Sequence, residues 1–144
     1  MKMLKELKKG ILTRFNNSTI YSVDGIKLYE DHMPSSKTYP FVVFYHVSSV
    51  NKYAMIDTTT GHTNGYDYLM PARIQFTIYA NDRQNVEMED IADKLEDLYN
   101  KQKIALANDC TNFGTLLTGS RTKFDNQQQK IWSISQDYNF FVGK

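Results

Sequence analysis

Cysteine is almost absent from this chain, which contains one, Cys110, among 144 residues. A single cysteine cannot close an intramolecular disulfide, so a reducing compartment is the simpler environment. Long apolar runs are also missing, since no stretch approaches the roughly 20 apolar residues of a bilayer-spanning helix. Residues 2–9 carry charges every few positions and lack the apolar core of a signal peptide. We therefore expect neither a disulfide-rich secreted domain nor a membrane protein.

Excess charge is lacking as well. The formal net charge is +1, which gives no bulk field to attract nucleic acid or an anionic membrane. Aromatic residues are plentiful, with ten Tyr and eight Phe, and 41% of residues are hydrophobic. A chain of this length and composition buries a real core, and we predict a single domain over residues 1–144.

Motifs for chemistry are missing too. His32, His46 and His62 do not stand at metal-ligand spacing from one another or from Cys110. No catalytic signature surrounds Cys110, and residues 61–65 lack the Gly-Lys-Ser/Thr ending of a phosphate loop. We predict no catalytic, cofactor-binding or metal-binding residues, no cofactor and no enzymatic activity. His46, in an apolar run, is interpreted as a satisfied core or interface residue.

Two segments have the apolar periodicity of amphipathic helices. The first covers residues 2–15, has a basic outer face, and carries the stripe Leu4, Leu7, Ile11, Leu12 and Phe15. The second, capped by Asn81 or Asp82, has an acidic outer face and carries the stripe Met88, Ile91, Ala92, Leu95, Leu98 and Tyr99. Opposite charges suit packing between subunits of a ring, but we favour the simpler alternatives, which are pairing of the helices within one chain or no pairing.

Strand signals fill most of the remaining sequence. The four main predicted strands are residues 41–47, 73–79, 113–121 and 131–142. Asp24-Gly25 between short β-prone runs predicts a small hairpin over residues 19–29. Residues 48–70 are polar and predict a long projecting hairpin or binding loop.

The fold class expected from these elements is α+β. Strands and helices do not alternate, which disfavours a doubly wound parallel sheet. We predict one mostly antiparallel, mixed sheet of about four main strands, with the two helices on one face. The first main strand is apolar on both of its faces, so the second face of the sheet needs cover, most simply from self-association.

The order of these pieces resembles a family. A helix ending near Phe15 precedes residues 28–34 (Leu-Tyr-Glu-Asp-His-Met-Pro); Pro40 then leads into an apolar strand, and residues 73–80 (Arg-Ile-Gln-Phe-Thr-Ile-Tyr-Ala) lead into the second helix. This arrangement is similar to that of the tail-terminator, or minor tail-completion, proteins of siphophages and prophages. The resemblance covers most of the chain, and its individual motifs are loose.

The resemblance implies a structural role in the virion. It implies a hexameric ring of identical subunits that caps the tail tube, stops its polymerisation and docks the head connector. Genomic DNA passes through the lumen without sequence-specific binding. The expected partners are the chain itself, the tail-tube protein and the head–tail connector, without a membrane. The expected location is the tail or neck of the virion, and the host cytoplasm during assembly.

The long segment supplies the predicted contact residues. Five apolar or aromatic side chains there are candidates for subunit or tube contacts, namely Tyr53, Met55, Ile56, Tyr66 and Tyr68. The alternative is a loop that folds back on its own domain. Two other functions remain open: another head–tail joining or tail-tube-like protein, or a small nucleic-acid-binding or regulatory domain.

Overall fold

The computed structural model describes residues 2–35, 38–49, 69–81, 85–126 and 130–143. Its helices are α1 (Lys2–Asn16), α2 (Thr19–Ser22) and α3 (Asn85–Tyr99). Its strands are β1 (Leu28–Glu30), β2 (Phe41–Ser49), β3 (Leu69–Asn81), β4 (Thr111–Asn126) and β5 (Ile131–Gly143). The predicted helices and main strands are all present, and several of the strands are longer than expected.

All five strands form one sheet in the order β1-β2-β3-β5-β4. β1 pairs parallel with β2, and every other neighbouring pair is antiparallel. The predicted α+β class, with one mostly antiparallel mixed sheet and four main strands, is therefore confirmed. β5 follows the other strands in sequence yet lies between β3 and β4.

The helices α1 and α3 cover one face of the sheet, which we call the helix face. Alternate residues of β3 point into it and are completely buried, including Ile74, Phe76 and Ile78. The same core contains Leu7 and Ile11 of α1 and the apolar stripe of α3. The prediction that both helices pack on one face is therefore confirmed, because their apolar stripes meet the alternating residues of the strands.

The hairpin predicted over residues 19–29 is wrong. Thr19–Ser22 is a short helix instead, because Ile20 turns into the core and is 2% exposed. Gly25 adopts a φ of 68°, so the turn signal was real. The turn connects α2 to β1, and β1 pairs with β2 rather than with residues 19–23.

The projecting hairpin or binding loop predicted at residues 48–70 lies mostly outside the described residues. β2 continues through Ser49 and β3 begins at Leu69, so both ends of that range are strand. The intervening residues 50–68 lie outside the described part of the chain. Among the described residues Pro71 pairs with Phe141, and the described pairing of β2 with β3 stops at Ala72.

Gly10 allows α1 to lie close to the segment between α3 and β4. A Cβ atom there would lie 2.5 Å from Leu106 Cδ2 and 3.0 Å from the carbonyl oxygen of Ala105. The glycine costs α1 about 1 kcal/mol relative to alanine. Because glycine has no side chain, α1 packs directly against the segment that leads from α3 to β4.

Replacing Gly10 with leucine should therefore destabilise the protein despite the better helix propensity. Overpacking a tight contact typically costs about 1–3 kcal/mol. Chemical denaturation measures the change in the free energy of unfolding. Thr13→Leu is the control, because Thr13 is exposed on the same helix and should change stability little. Equal stabilisation of both variants would contradict the proposed close contact.

Candidate assembly surfaces

The five predicted contact residues all lie in the segment 50–68. Tyr53, Met55, Ile56, Tyr66 and Tyr68 are therefore outside the described residues. Their assignment as subunit or tube contacts stays a prediction. The surfaces that the structure does describe are the second face of the sheet, the outer faces of the two helices, and the two edges of the sheet.

The second face of the sheet, which we call the open face, carries a polar network across three strands. Arg73 Nη2 donates to Asp137 Oδ2 at 2.9 Å, and Gln75 Nε2 donates to Asp137 Oδ1 at 2.8 Å. The hydroxyl of Tyr45 donates to Gln75 Oε1. Both oxygens of the Asp137 carboxylate are thus engaged, so this group is better suited to fixing the strands than to proton transfer.

Apolar side chains remain accessible around this network. Tyr45 is 37% exposed, Val47 is 40% exposed, and Leu116 on β4 is 48% exposed. None of the described helices packs on this face. Part of the open face is therefore both apolar and accessible within the described part of the chain. Such a surface is expected where a protein contacts another molecule.

The basic face of α1 is partly neutralised within the chain. Lys8 Nζ lies 3.2 Å from Glu30 Oε1 and 3.3 Å from Asp31 Oδ2. Lys9 Nζ lies 3.8 Å from the buried carboxylate of Glu6. Partial burial lowers the pKa of Lys8, but its hydrogen bonds and charge interactions with Glu30 and Asp31 outweigh burial and raise that pKa overall. Pairing within the chain is thus the observed arrangement for this helix, although the partners come mainly from β1 and the residue after it.

The outer face of α3 is acidic. Its exposed carboxylates are Glu87, Glu89, Asp90, Asp93 and Asp97. Lys94 Nζ lies 2.6 Å from Asp24 Oδ2. No described ion pair joins α3 to α1, so the opposite charges of the two helices do not neutralise each other directly.

Gln136, which interrupts the apolar face of β5, belongs to a buried polar network. Its Nε2 donates to the carbonyl of Ala92 at 3.0 Å, and its Oε1 accepts from the Tyr138 hydroxyl at 2.9 Å. The Tyr99 hydroxyl donates to the carbonyl of Ile11 at 2.7 Å. These bonds connect α3 to β5 and α3 to α1, and they make the polar groups of the core compatible with burial.

Cys110 and two of the three histidines lie within the described residues. Cys110 is 5% exposed, and its Sγ lies 3.7 Å from the carbonyl oxygen of Asn108. His46 is half-buried, and its Nε2 has no hydrogen-bond partner among the described residues, so its interpretation as a satisfied core or interface residue stays a prediction. His62 lies outside the described residues. Within the described ranges, no three His, Cys, Asp or Glu side chains converge to hold a metal ion.

The length of the helices shows whether any of them could span a membrane. Among the described residues, α1 and α3 are the longest helices at 15 residues each, and neither has the length and apolar character to cross a bilayer.

The edges of the sheet differ in how they are closed. On β4, the segment after α3 covers the first half of the edge: Lys101 N donates to the carbonyl of Thr115 at 2.7 Å, and Leu117 N donates to Asn100 Oδ1 at 2.9 Å. Residues 118–122 are exposed beyond this cover. On the opposite side of the sheet, β1 pairs only with β2 among the described strands.

Comparison with known proteins gives a structural answer only. The sequence matches no protein-family model and no curated protein. Twenty-nine chains of solved structures do match. One belongs to the structure described as "Virion of native gene transfer agent (GTA) particle" and superposes with a TM-score of 0.74, at 9% identity, covering 99% of this chain and 98% of that chain. The two chains share one fold.

Proposed function

We propose that this chain is a structural protein of a phage or a phage-like particle, and that it acts as the tail terminator. The observation that carries the proposal is the match over 99% of the chain to a chain of a gene transfer agent virion. The order of sequence elements, compared above with tail-terminator proteins, supports the same role. In this role the protein forms a ring on the last ring of the tail tube and ends tube growth.

The partners follow from that position. The chain binds copies of itself, in a ring of six, and the tail-tube protein on one side of the ring. The head–tail connector binds on the other side, in the neck of the virion. The near-zero net charge and the acidic face of α3 suit a ring through which DNA passes without being held.

No enzymatic step is needed for this function. A terminator works by occupying the growing end of a polymer, so its activity resides in contact surfaces rather than in a catalytic centre. The open face, with accessible Tyr45, Val47 and Leu116, the outer faces of the two helices and the two sheet edges are the surfaces available for such contacts among the described residues. The segment 50–68, with its predicted contact residues, adds a further contact to a neighbour or to the tube.

The test is to combine absolute mass in solution with a capping assay. Light scattering across protein and salt concentration should find a closed species of about six subunits, or a monomer that forms rings only on tail tubes. Purified tubes growing in the presence of the chain should stop at a shorter length and carry one terminal ring in electron micrographs. Heat-unfolded chain is the control.

Other outcomes would identify other functions. Open filaments of the chain alone would indicate a tube-like protein instead. A DNA complex that weakens steeply with salt would indicate a nucleic-acid-binding domain. A monomer that ignores tail tubes under all conditions would overturn the proposal.

A further inference from the structure

The uncovered half of the β4 edge is regular and faces outward. Between two β-bulges, at 117/119 and 124/126, residues 119–124 pair one-to-one with β5. In an antiparallel pair, the backbone groups of successive residues point alternately toward the partner strand and away from it. The C=O of Thr115 and the N–H of Leu117 point away from β5, and these residues lie opposite Phe140 and Tyr138. Positions 136 and 134 of β5 have the same phase as positions 140 and 138. The β4 residues opposite them therefore also point their N–H and C=O groups away from β5.

Those residues are Ser120 and Thr122. Both are exposed, and neither has a described hydrogen-bond partner on the outer side. Their side chains lie on the helix face of the sheet, because they pair with Gln136 and Ile134, which point into that face. Arg121, between them, points to the open face.

β1 forms the matching edge on the other side of the sheet. Val42 N donates to the carbonyl of Lys27, and Asp31 N donates to the carbonyl of Phe44, both toward β2. By the alternation of parallel strands, the backbone groups of Leu28 and Glu30 therefore point away from β2. The Glu30 carbonyl accepts one bond from His32 N and keeps a second lone pair.

The two edges are compatible in direction and in side-chain face. β1 runs parallel to β2, β3 runs opposite to β2, β5 runs opposite to β3, and β4 runs opposite to β5. β4 is thus antiparallel to β1, which is the polarity needed if the sheet continues from one molecule into the next. Leu28 and Glu30 pair with Val42 and Phe44 of the core, so their side chains also lie on the helix face.

We propose that the outer edge of β4 in one copy of the chain pairs antiparallel with β1 of a second copy, with Ser120 opposite Glu30 and Thr122 opposite Leu28. This deepens the proposed ring and rests on it. The contact joins two different surfaces, so it is head-to-tail and generates a ring when its rotation closes. The bulges on both sides restrict the edge to a short partner strand, which protects it from unlimited pairing.

Engineered disulfides test the register. Residues directly opposite in a hydrogen-bonded antiparallel pair have Cα atoms about 5.5 Å apart, within disulfide range. Under mild oxidation the double variant S120C/E30C should give a ladder of covalent multimers in a non-reducing denaturing gel. The matched control is R121C/E30C, whose cysteines lie on opposite faces of the joined sheet and should remain uncrosslinked. The unaltered chain, with its buried Cys110, should also remain uncrosslinked.

The outcomes separate this inference from the proposed function. If the unaltered chain forms rings and caps tubes but S120C/E30C gives no ladder, the strand pairing is wrong and the ring uses another surface. Covalent dimers from S120C alone would mean β4-to-β4 pairing and would also overturn it. If the unaltered chain neither assembles nor caps, the proposed function itself fails.

Discussion

Replacing Phe76 with alanine is expected to lower the free energy of unfolding by about 3–5 kcal/mol, the usual range for a fully buried phenylalanine. Phe76 is 0% exposed at the centre of β3. Its ring lies 5.8 Å from that of Phe44, 4.9 Å from that of Tyr99 and 5.5 Å from that of Tyr138, measured between centroids. Truncation leaves a cavity between three rings that are themselves fixed by strand pairing or hydrogen bonds.

Such a loss is large, because a domain is stable by only about 5–15 kcal/mol. Urea denaturation followed by tryptophan fluorescence measures the change. Leu116→Ala is the control, since Leu116 is 48% exposed and its truncation removes less buried surface, at a cost of about 1 kcal/mol or less. Equal losses for the two variants would mean that Phe76 does not hold the centre of the core.

Raising the pH above 10 is expected to weaken the fold steeply through Tyr99 and Tyr138. Burial raises the pKa of Tyr99, and the charge of Arg14 offsets only part of this. Burial, with a smaller contribution from the charge of Glu96, raises the pKa of Tyr138. In the folded protein both phenols therefore stay protonated at pH values where the unfolded chain ionises, above about 10.

The sign follows from proton binding. Above the unfolded pKa the folded state holds more protons than the unfolded state, so stability falls as pH rises until the folded pKa is reached. Each tyrosine contributes a slope of about 1.4 kcal/mol per pH unit, and the two together contribute about 2.7. Below the unfolded pKa, this pair adds no pH dependence.

Free energies of unfolding measured between pH 8 and pH 11.5 test this expectation. Tyr99→Phe and Tyr138→Phe should each remove about half of the tyrosine-dependent slope. Both variants also lose a hydrogen bond and start from a lower stability at neutral pH, so the slopes rather than the absolute values are compared. A slope that neither substitution changes would place the alkaline sensitivity elsewhere.

Periodicity explains why much of the fold was predictable. The stripe from Leu4 to Phe15 and the alternation from Ile74 to Ile78 are local patterns, and each corresponds to a buried face of the element observed. The hairpin error has the same origin. Asp24-Gly25 correctly marks a turn, but a turn signal does not show which strand will pair with the strand that follows it. β1 pairs with β2.

The surfaces were less accessible to prediction than the fold. The periodicity places Lys8 on the basic face of the first helix, but its partners Glu30 and Asp31 lie more than 20 positions away in the sequence. Gln136 was visible as an interruption in an apolar strand, but the identity of its partners depends on how α3 crosses the sheet. The edge strands depend on the strand order, which no local pattern encodes.

The position of β5 has a consequence for synthesis. Ribosomes make the chain from its amino end, so β3 emerges well before β5, the strand that fills the gap between β3 and β4. Until β5 is released, β3 has one side without a partner, and Phe76 and Ile78 lack the residues that pack beside them. A nascent or prematurely terminated chain therefore has neither a closed core nor the β4 edge held in place. An incomplete chain thus exposes an unpaired strand and apolar side chains that the complete chain buries.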